Sequence, residues 1–236
     1  MKRMGLVFVM VLMAYGVTLA EDQVWLDRNS SIGAKAAYEF YKTKFQTKGT
    51  YVYAWKLARA AYFYAANFAQ GDDQKKKYYT EGKEAAEAAM SLDPNGFEGF
   101  YQYAVCLGSW AEMLGVGEQL GSVDKIIKAC EKAIKINPSS ADGYMVMARV
   151  YHKAPGWPIS CGDINKAAQF YEKALKIDAK NRTLYRFYSE CLLDQGKKQD
   201  AKAMIEKGLA LTFDPTDKIT ENQEIEKLKA LLQKTK

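Results

Sequence analysis

An all-α superhelix of stacked helical hairpins follows from three features of the sequence. Four segments end alike: AAEAAMSLDP (85–94), ACEKAIKINP (129–138), FYEKALKIDA (170–179) and the looser AMIEKGLALT (203–212). Their small residues Ala89, Ala133, Ala174 and Gly208 recur at intervals of 44, 41 and 34. Each segment is preceded by a second helical core: LARAAY (57–62), YAVCLG (103–108), MARVYH (147–152) and YSECLL (188–193). The small residues there, Ala58, Ala104, Ala148 and Ser189, recur at 46, 44 and 41. Glycine, proline and charge gather between the two helices of a unit, in FAQGDDQKKKYYTEG (68–82), AEMLGVGEQLGS (111–122) and APGWPISCGD (154–163). Such residues break helices and mark loops.

The 34-residue interval is the period of the tetratricopeptide repeat (TPR), two antiparallel helices per unit. The longer intervals carry 12, 10 and 7 extra residues in the first three units, and these read as loops inserted at one edge. The expected architecture is therefore a TPR-like superhelix of about four units with long intra-repeat loops and a capping helix at each end.

The elements follow in order. Residues 1–20 begin with Lys2 and Arg3, continue through an apolar run at 5–13 and reach Thr18, Leu19 and Ala20. That is the pattern of a secretory signal peptide, with an uncleaved anchor as the alternative. Residues 31–46 read as a lone capping helix with Ala37, Phe40 and Tyr41 inward. The units span about 50–94, 97–138, 141–179 and 182–213. In each, the small residue of the first helix should let the second approach, so that Ala58, Ala104, Ala148 and Ser189 face Gly82, Ile126, Ala167 and Ala201. Ile126 departs from the pattern. Asp163 should cap the second helix of the third unit. Residues 218–234 form the final cap, with Ile225, Leu228 and Leu232 on one stripe. From 21 to 236 the chain reads as one repeat domain.

The formal net charge of +6 falls to +4 without Lys2 and Arg3. Lysines are spread over helix faces, apart from Lys75, Lys76 and Lys77, so no nucleic-acid stripe is present. Cys106, Cys130, Cys161 and Cys191 permit three complete disulfide pairings, and nothing in the sequence selects one. Three of the four sit in helical patterns as small apolar residues; Cys161 is the candidate for oxidation. A single histidine and the absence of metal-ligand spacing argue against a metal site. No cofactor is called for. The sequence contains no HExxH, GxSxG or Walker pattern, and the reading is a binding protein rather than an enzyme.

In stacked hairpins the first helices line the concave wall. Counting from the small residue, the wall positions are Trp55, Lys56, Arg59 and Tyr62; Tyr101, Gln102, Val105 and Gly108; Met145, Val146, Arg149 and His152; Arg186, Phe187, Glu190 and Leu193. Three arginines among large apolar residues would suit a small amphipathic or acidic ligand, or an acidic peptide end. The plainer alternative packs the aromatics between units and pairs Arg186 with Glu190 four residues on. His152 either caps its helix C-terminus or joins the wall. Trp157, between Gly156 and Pro158, is either a partner anchor or the centre of a small satellite core.

YAWKLARAAYF (53–63), the stretched units and KAPGWPISCGDINKAAQFYEKALKIDAKN (153–181) together resemble the T component associated with TRAP transporters, over residues 35–212. That resemblance implies an exported, periplasmic repeat protein that docks with a TRAP substrate-binding protein. The family's trimeric assembly leaves a homo-oligomer open. A cysteine for lipid attachment, frequent in that family, is absent. The alternative function is a general periplasmic protein-interaction scaffold. A more distant likeness is to the eukaryotic regulators of microtubule dynamics, which share the helical-repeat core.

Overall fold

A computed structural model describes residues 23–236. The segment read as a signal peptide, residues 1–20, lies outside the described residues. After a helical turn at 23–26, ten α-helices follow among the described residues: α1 (Ser31–Lys48), α2 (Tyr51–Asn67), α3 (Gly71–Leu92), α4 (Phe97–Glu112), α5 (Val116–Ile136), α6 (Ala141–Lys153), α7 (Ile164–Ile177), α8 (Arg182–Asp194), α9 (Lys198–Ala210) and α10 (Lys218–Gln233). A 3₁₀ turn, Pro215–Asp217, precedes α10. The all-helical TPR-like fold is what the repeat spacing predicts.

Helix ends follow local chemistry. Ser30 Oγ accepts from the Gly33 N–H at 3.0 Å and opens α1. Gly49, at φ 59°, closes it in the left-handed region, where glycine carries no Cβ penalty. Asp163 Oδ1 accepts from the N–H groups of Asn165 and Lys166, both at 3.0 Å, and opens α7 as its sequence position suggests. Asn181 does the same for α8.

The extra residues of the first two units are helix, not loop, which corrects the sequence reading. Compared with α8, helix α2 runs four residues further beyond its small residue, and compared with α9, helix α3 begins eight residues earlier. In the second unit α4 gains three residues and α5 gains seven. The connections at 68–70 and 113–115 are as short as the one at 195–197. The physical reason is apolar content: the added turns bury Ala65 and Tyr78, next to the buried Tyr79, in the first unit and Ala111 in the second. Only the third extension, 154–163, is a loop. Gly162 is required there, because a Cβ would collide with the Ala154 carbonyl.

Close approach at small residues holds the stack together. Ala58, Ala89, Ala104, Ala133, Ala148, Ala174 and Ser189 are all at most 1% exposed. A Cβ on Gly82 would stand 3.3 Å from the Ala58 carbonyl and 2.9 Å from Cys106 Sγ. Between units, Gly99 sits against Ala89 and Met90, and Gly143 against Ile134. Ile126, the departure from the pattern, is buried in one cluster with Ala104, Leu107, Ala129, Cys130 and Met147. All four cysteines are free thiols; Cys106, Cys130 and Cys191 are buried and Cys161 is half-buried.

The last helix packs differently from the sequence stripe. Glu224, Leu228 and Leu231 are buried; of the expected stripe Leu228 is fully inside and Leu232 packs half-buried on the same cluster, while Ile225 is half-buried outside it. The rotation is set by two ion pairs to α8, Arg182 with Glu221 and Arg186 with Glu224. A buried carboxylate that keeps its partner can displace an aliphatic side chain from the inner face.

Ala148→Leu and Ala174→Leu should each lower the unfolding free energy by about 1–3 kcal/mol through overpacking, read from urea midpoints. Lys176→Leu, on the exposed side of the same helix as Ala174, serves as the control and should shift the midpoint little.

Candidate functional site

The first helices α2, α4 and α6 each approach the first helix of the next unit and α8 approaches α10, whereas the second helices α3, α5, α7 and α9 approach one another less closely, and α3 also reaches α1 through Tyr78 and Glu81. The stack therefore bends toward the first helices, and these form the inner wall. None of the sixteen wall positions is fully exposed. Gln102 and Arg186 are buried, and Trp55, Lys56, Arg59, Tyr62, Tyr101, Met145, Arg149, His152, Phe187 and Glu190 are half-buried.

The structure gathers them into two groups. In the first, Trp55, Lys56 and Arg59 join Tyr41 of α1 and Trp25 and Leu26 of the leading segment around a cleft of about 310 Å³. The Arg59 guanidinium lies 3.7 Å from the Trp25 ring centroid and 5.0 Å from that of Trp55. Burial depresses the Arg59 pKa, partly offset by the Tyr41 hydroxyl. Its Nε is buried with no hydrogen-bond partner. Such a contact between cation and aromatic face is strengthened when water is excluded.

The second group spans the third and fourth units. Arg149 Nη1 donates to Glu190 Oε2 at 3.1 Å, and Arg186 Nη1 to Glu190 Oε1 at 2.7 Å. Both guanidinium groups also lie over Phe187, at 4.2 and 3.9 Å. Arg186 reaches Glu224 of α10 as well. Burial would raise the Glu190 pKa, but Arg186 and Arg149 outweigh it and hold the carboxyl below its ordinary value. The Arg186–Glu190 pair anticipated from spacing is present, and Arg149 has joined it. Two of the three wall arginines are thus already neutralised by the chain's own carboxylates.

The other candidates lie between these groups. Tyr62 stands beside Ser109 and Tyr79. Tyr101 stacks on Phe97 at 5.8 Å, and Gln102 bonds to Glu98. Burial raises the pKa of Glu98, and Asp142 adds to it. Met145 packs on the core of the third and fourth units. The His152 side chain, 1% exposed, pairs through Nε2 with Asp194 Oδ2 at 2.8 Å. Its Nδ1 has no partner, and burial lowers its pKa despite Asp194. Trp157 belongs to neither group: it is 89% exposed at the tip of the 154–163 loop, with Ile159 beside it. It forms no satellite core.

Sequence reasoning missed Trp25, Leu26 and Glu224. The first two precede the first capping helix and share no repeat position. Glu224 was hidden because a carboxylate on an end helix reads as solvent-facing until Arg186 is placed beside it.

The charge pattern sets an acid limb. A depressed carboxyl stabilises above the unfolded glutamate value of about 4.3, and that contribution is lost as pH falls through the lower folded value. His152, also depressed, contributes fully above 6.5 and loses it as pH falls through its folded value. Urea midpoints should be level above pH 6.5 and decline below it. His152→Gln should flatten the decline between roughly pH 6.5 and 5. Glu190→Gln should flatten it below about pH 4.5 and cost about 1–3 kcal/mol at neutral pH, by leaving Arg149 and Arg186 short of an acceptor.

Comparison with known proteins extends the geometry. The family described as "Regulator of microtubule dynamics protein 1-3" matches residues 21–152, and a tetratricopeptide repeat family matches residues 160–217. Regulator of microtubule dynamics protein 3 of Rattus norvegicus is 25% identical over 197 residues, 77% of this chain and 41% of that protein. Regulator of microtubule dynamics protein 1 of Caenorhabditis elegans is 22% identical over 198 residues, 76% of this chain and 83% of that protein. The chain thus spans about two fifths of the rat relative. A thermophilic TPR protein of Thermus thermophilus superposes with a TM-score of 0.66 at 15% identity, covering 85% of this chain and 91% of that one. That likeness concerns the fold.

These findings overturn two expectations. The resemblance to the TRAP-associated T component gives way to the family matched here. Periplasmic export was expected from the signal-peptide pattern of residues 1–20 as well as from that resemblance, and it conflicts with the matched relatives, which come from animals and so have no periplasm. The fold is a TPR-like protein-interaction scaffold. With a family model matched over more than half its length, the chain belongs to the regulator of microtubule dynamics 1-3 family.

Proposed function

We propose that this chain is an interaction scaffold acting on microtubule dynamics, and that its inner wall is the surface that receives a protein partner. The observation that carries the reading is the family match over residues 21–152, which takes in α2 and α4 and most of α6. The wall supports it in kind. It is long, half-buried and aromatic, with polar groups at intervals, as surfaces that hold an extended or helical segment are. A small amphipathic anion has weaker support, since Arg149 and Arg186 already bind Glu190 and Glu224. The overall charge of +6 favours approach to an acidic surface, with a salt dependence that follows from screening.

The test is co-sedimentation of the full chain with polymerised tubulin, together with light-microscopic measurement of growth and shortening. Binding that weakens between about 50 and 200 mM salt, with altered dynamics, is the expected outcome. Tyr101→Ala and Phe187→Ala, which remove wall aromatics, should each weaken binding about tenfold or more. Absence of both co-sedimentation and any change in dynamics at a large excess of the chain overturns the reading.

A further inference from the structure

The two ends of the described fold meet. Residues 23–30 lie ahead of α1 and outside the repeat pattern, yet they reach the start of α10. Asn29 Nδ2 donates to the Thr216 carbonyl at 3.0 Å, and Asn29 Oδ1 accepts from the Ile219 N–H at 3.3 Å. Arg28 Nη2 pairs with Asp217 Oδ1 at 3.0 Å, the arginine side chain being 7% exposed. The same segment grips the first unit. The Trp25 ring meets Phe63 edge-on at 5.6 Å. Two guanidinium groups lie against Trp25, that of Arg28 at 4.4 Å and that of Arg59 at 3.7 Å from the ring centroid.

We propose that residues 23–30 are a clasp that shuts the superhelix end to end and governs access to Arg59. In a repeat stack each unit contacts only its neighbours, so the distance between the ends is set by the sum of small inter-unit rotations. A direct contact between first and last elements removes that freedom. This contact is small and polar: one ion pair, two hydrogen bonds and one aromatic ring between cations. Contacts of this kind open locally without global unfolding. What they cover is specific. Arg59 is the wall arginine that pairs with no carboxylate among the described residues, and Trp25 lies on its guanidinium. Opening the clasp uncovers that guanidinium, with its unpartnered Nε, for a carboxylate on an incoming segment. The closed form keeps it against the chain's own tryptophan. The clasp acts in this way whichever partner the wall receives.

The experiment uses the full chain, with amide hydrogen exchange and dicarbonyl labelling of arginines read by mass spectrometry. Asp217→Asn keeps the side-chain shape and removes the charge; Trp25→Ala removes the cover and leaves the ion pair. Each should raise labelling of Arg59 about fivefold relative to Arg149. In Asp217→Asn, exchange should rise in residues 23–30 and 214–222 together. The charge swap Arg28→Asp with Asp217→Arg should return both readouts most of the way to the starting values. Far-UV circular dichroism confirms that the helices persist in each variant. Exchange that rises only around the substituted residue, or Arg59 labelling unchanged in both variants, overturns the proposal.

Discussion

The close approach of helices at alanine-sized side chains governs the rest of this molecule. Wherever a first helix crosses its partner, the residue at the crossing is alanine or serine and is essentially without solvent exposure. Two helices that near each other can fill the remaining space only with groups of matched volume. The crossing therefore fixes the distance between helices and, through Gly99 and Gly143, the distance between units. Curvature follows from these distances, and the inner wall follows from curvature. The exception, Ile126, is buried in the core of the second unit beside Ala104 and Leu107.

The same packing accounts for the lengthened hairpins of the first two units. Their added turns carry Ala65, Tyr78 and Ala111 into the core, so the helices continue rather than break. The third extension has no such apolar face. Its residues Gly156, Trp157, Pro158 and Ile159 are exposed, and the backbone closes on itself through the Gly162 N–H to the Pro155 carbonyl at 2.8 Å. Charge on the inner wall is arranged with equal economy. Arg149, Arg186, Glu190 and Glu224 satisfy one another, and the first unit is left with a cation held by aromatic rings rather than by a carboxylate.

The resemblance to a transport-associated family rested on residues whose tasks are structural. Gly162 avoids a carbonyl, Asp163 caps α7, and Ala167 and Ala174 are crossing residues with no exposure. Any protein that makes this loop and this hairpin needs much the same residues there, whatever it binds. Such positions report the fold and are silent about the partner. The family match covers residues 21–152; it shares 53–63 with that resemblance and adds the leading segment with Trp25.

Sequence alone determined what is local or periodic. The hairpin repeat, the crossing residues, the Asp163 cap and the i,i+4 pairing of Arg186 with Glu190 are all set by neighbours within a turn or two, or by spacing that repeats. Tertiary structure decided what depends on distant partners. Whether residues 68–82 became loop or helix turned on a core to bury them. Which face of α10 turned inward was decided by Arg182 and Arg186. The meeting of Arg28 with Asp217 joins residues that no period relates, because it arises from the summed curvature of the whole stack, and that curvature is a property of packing rather than of any one segment.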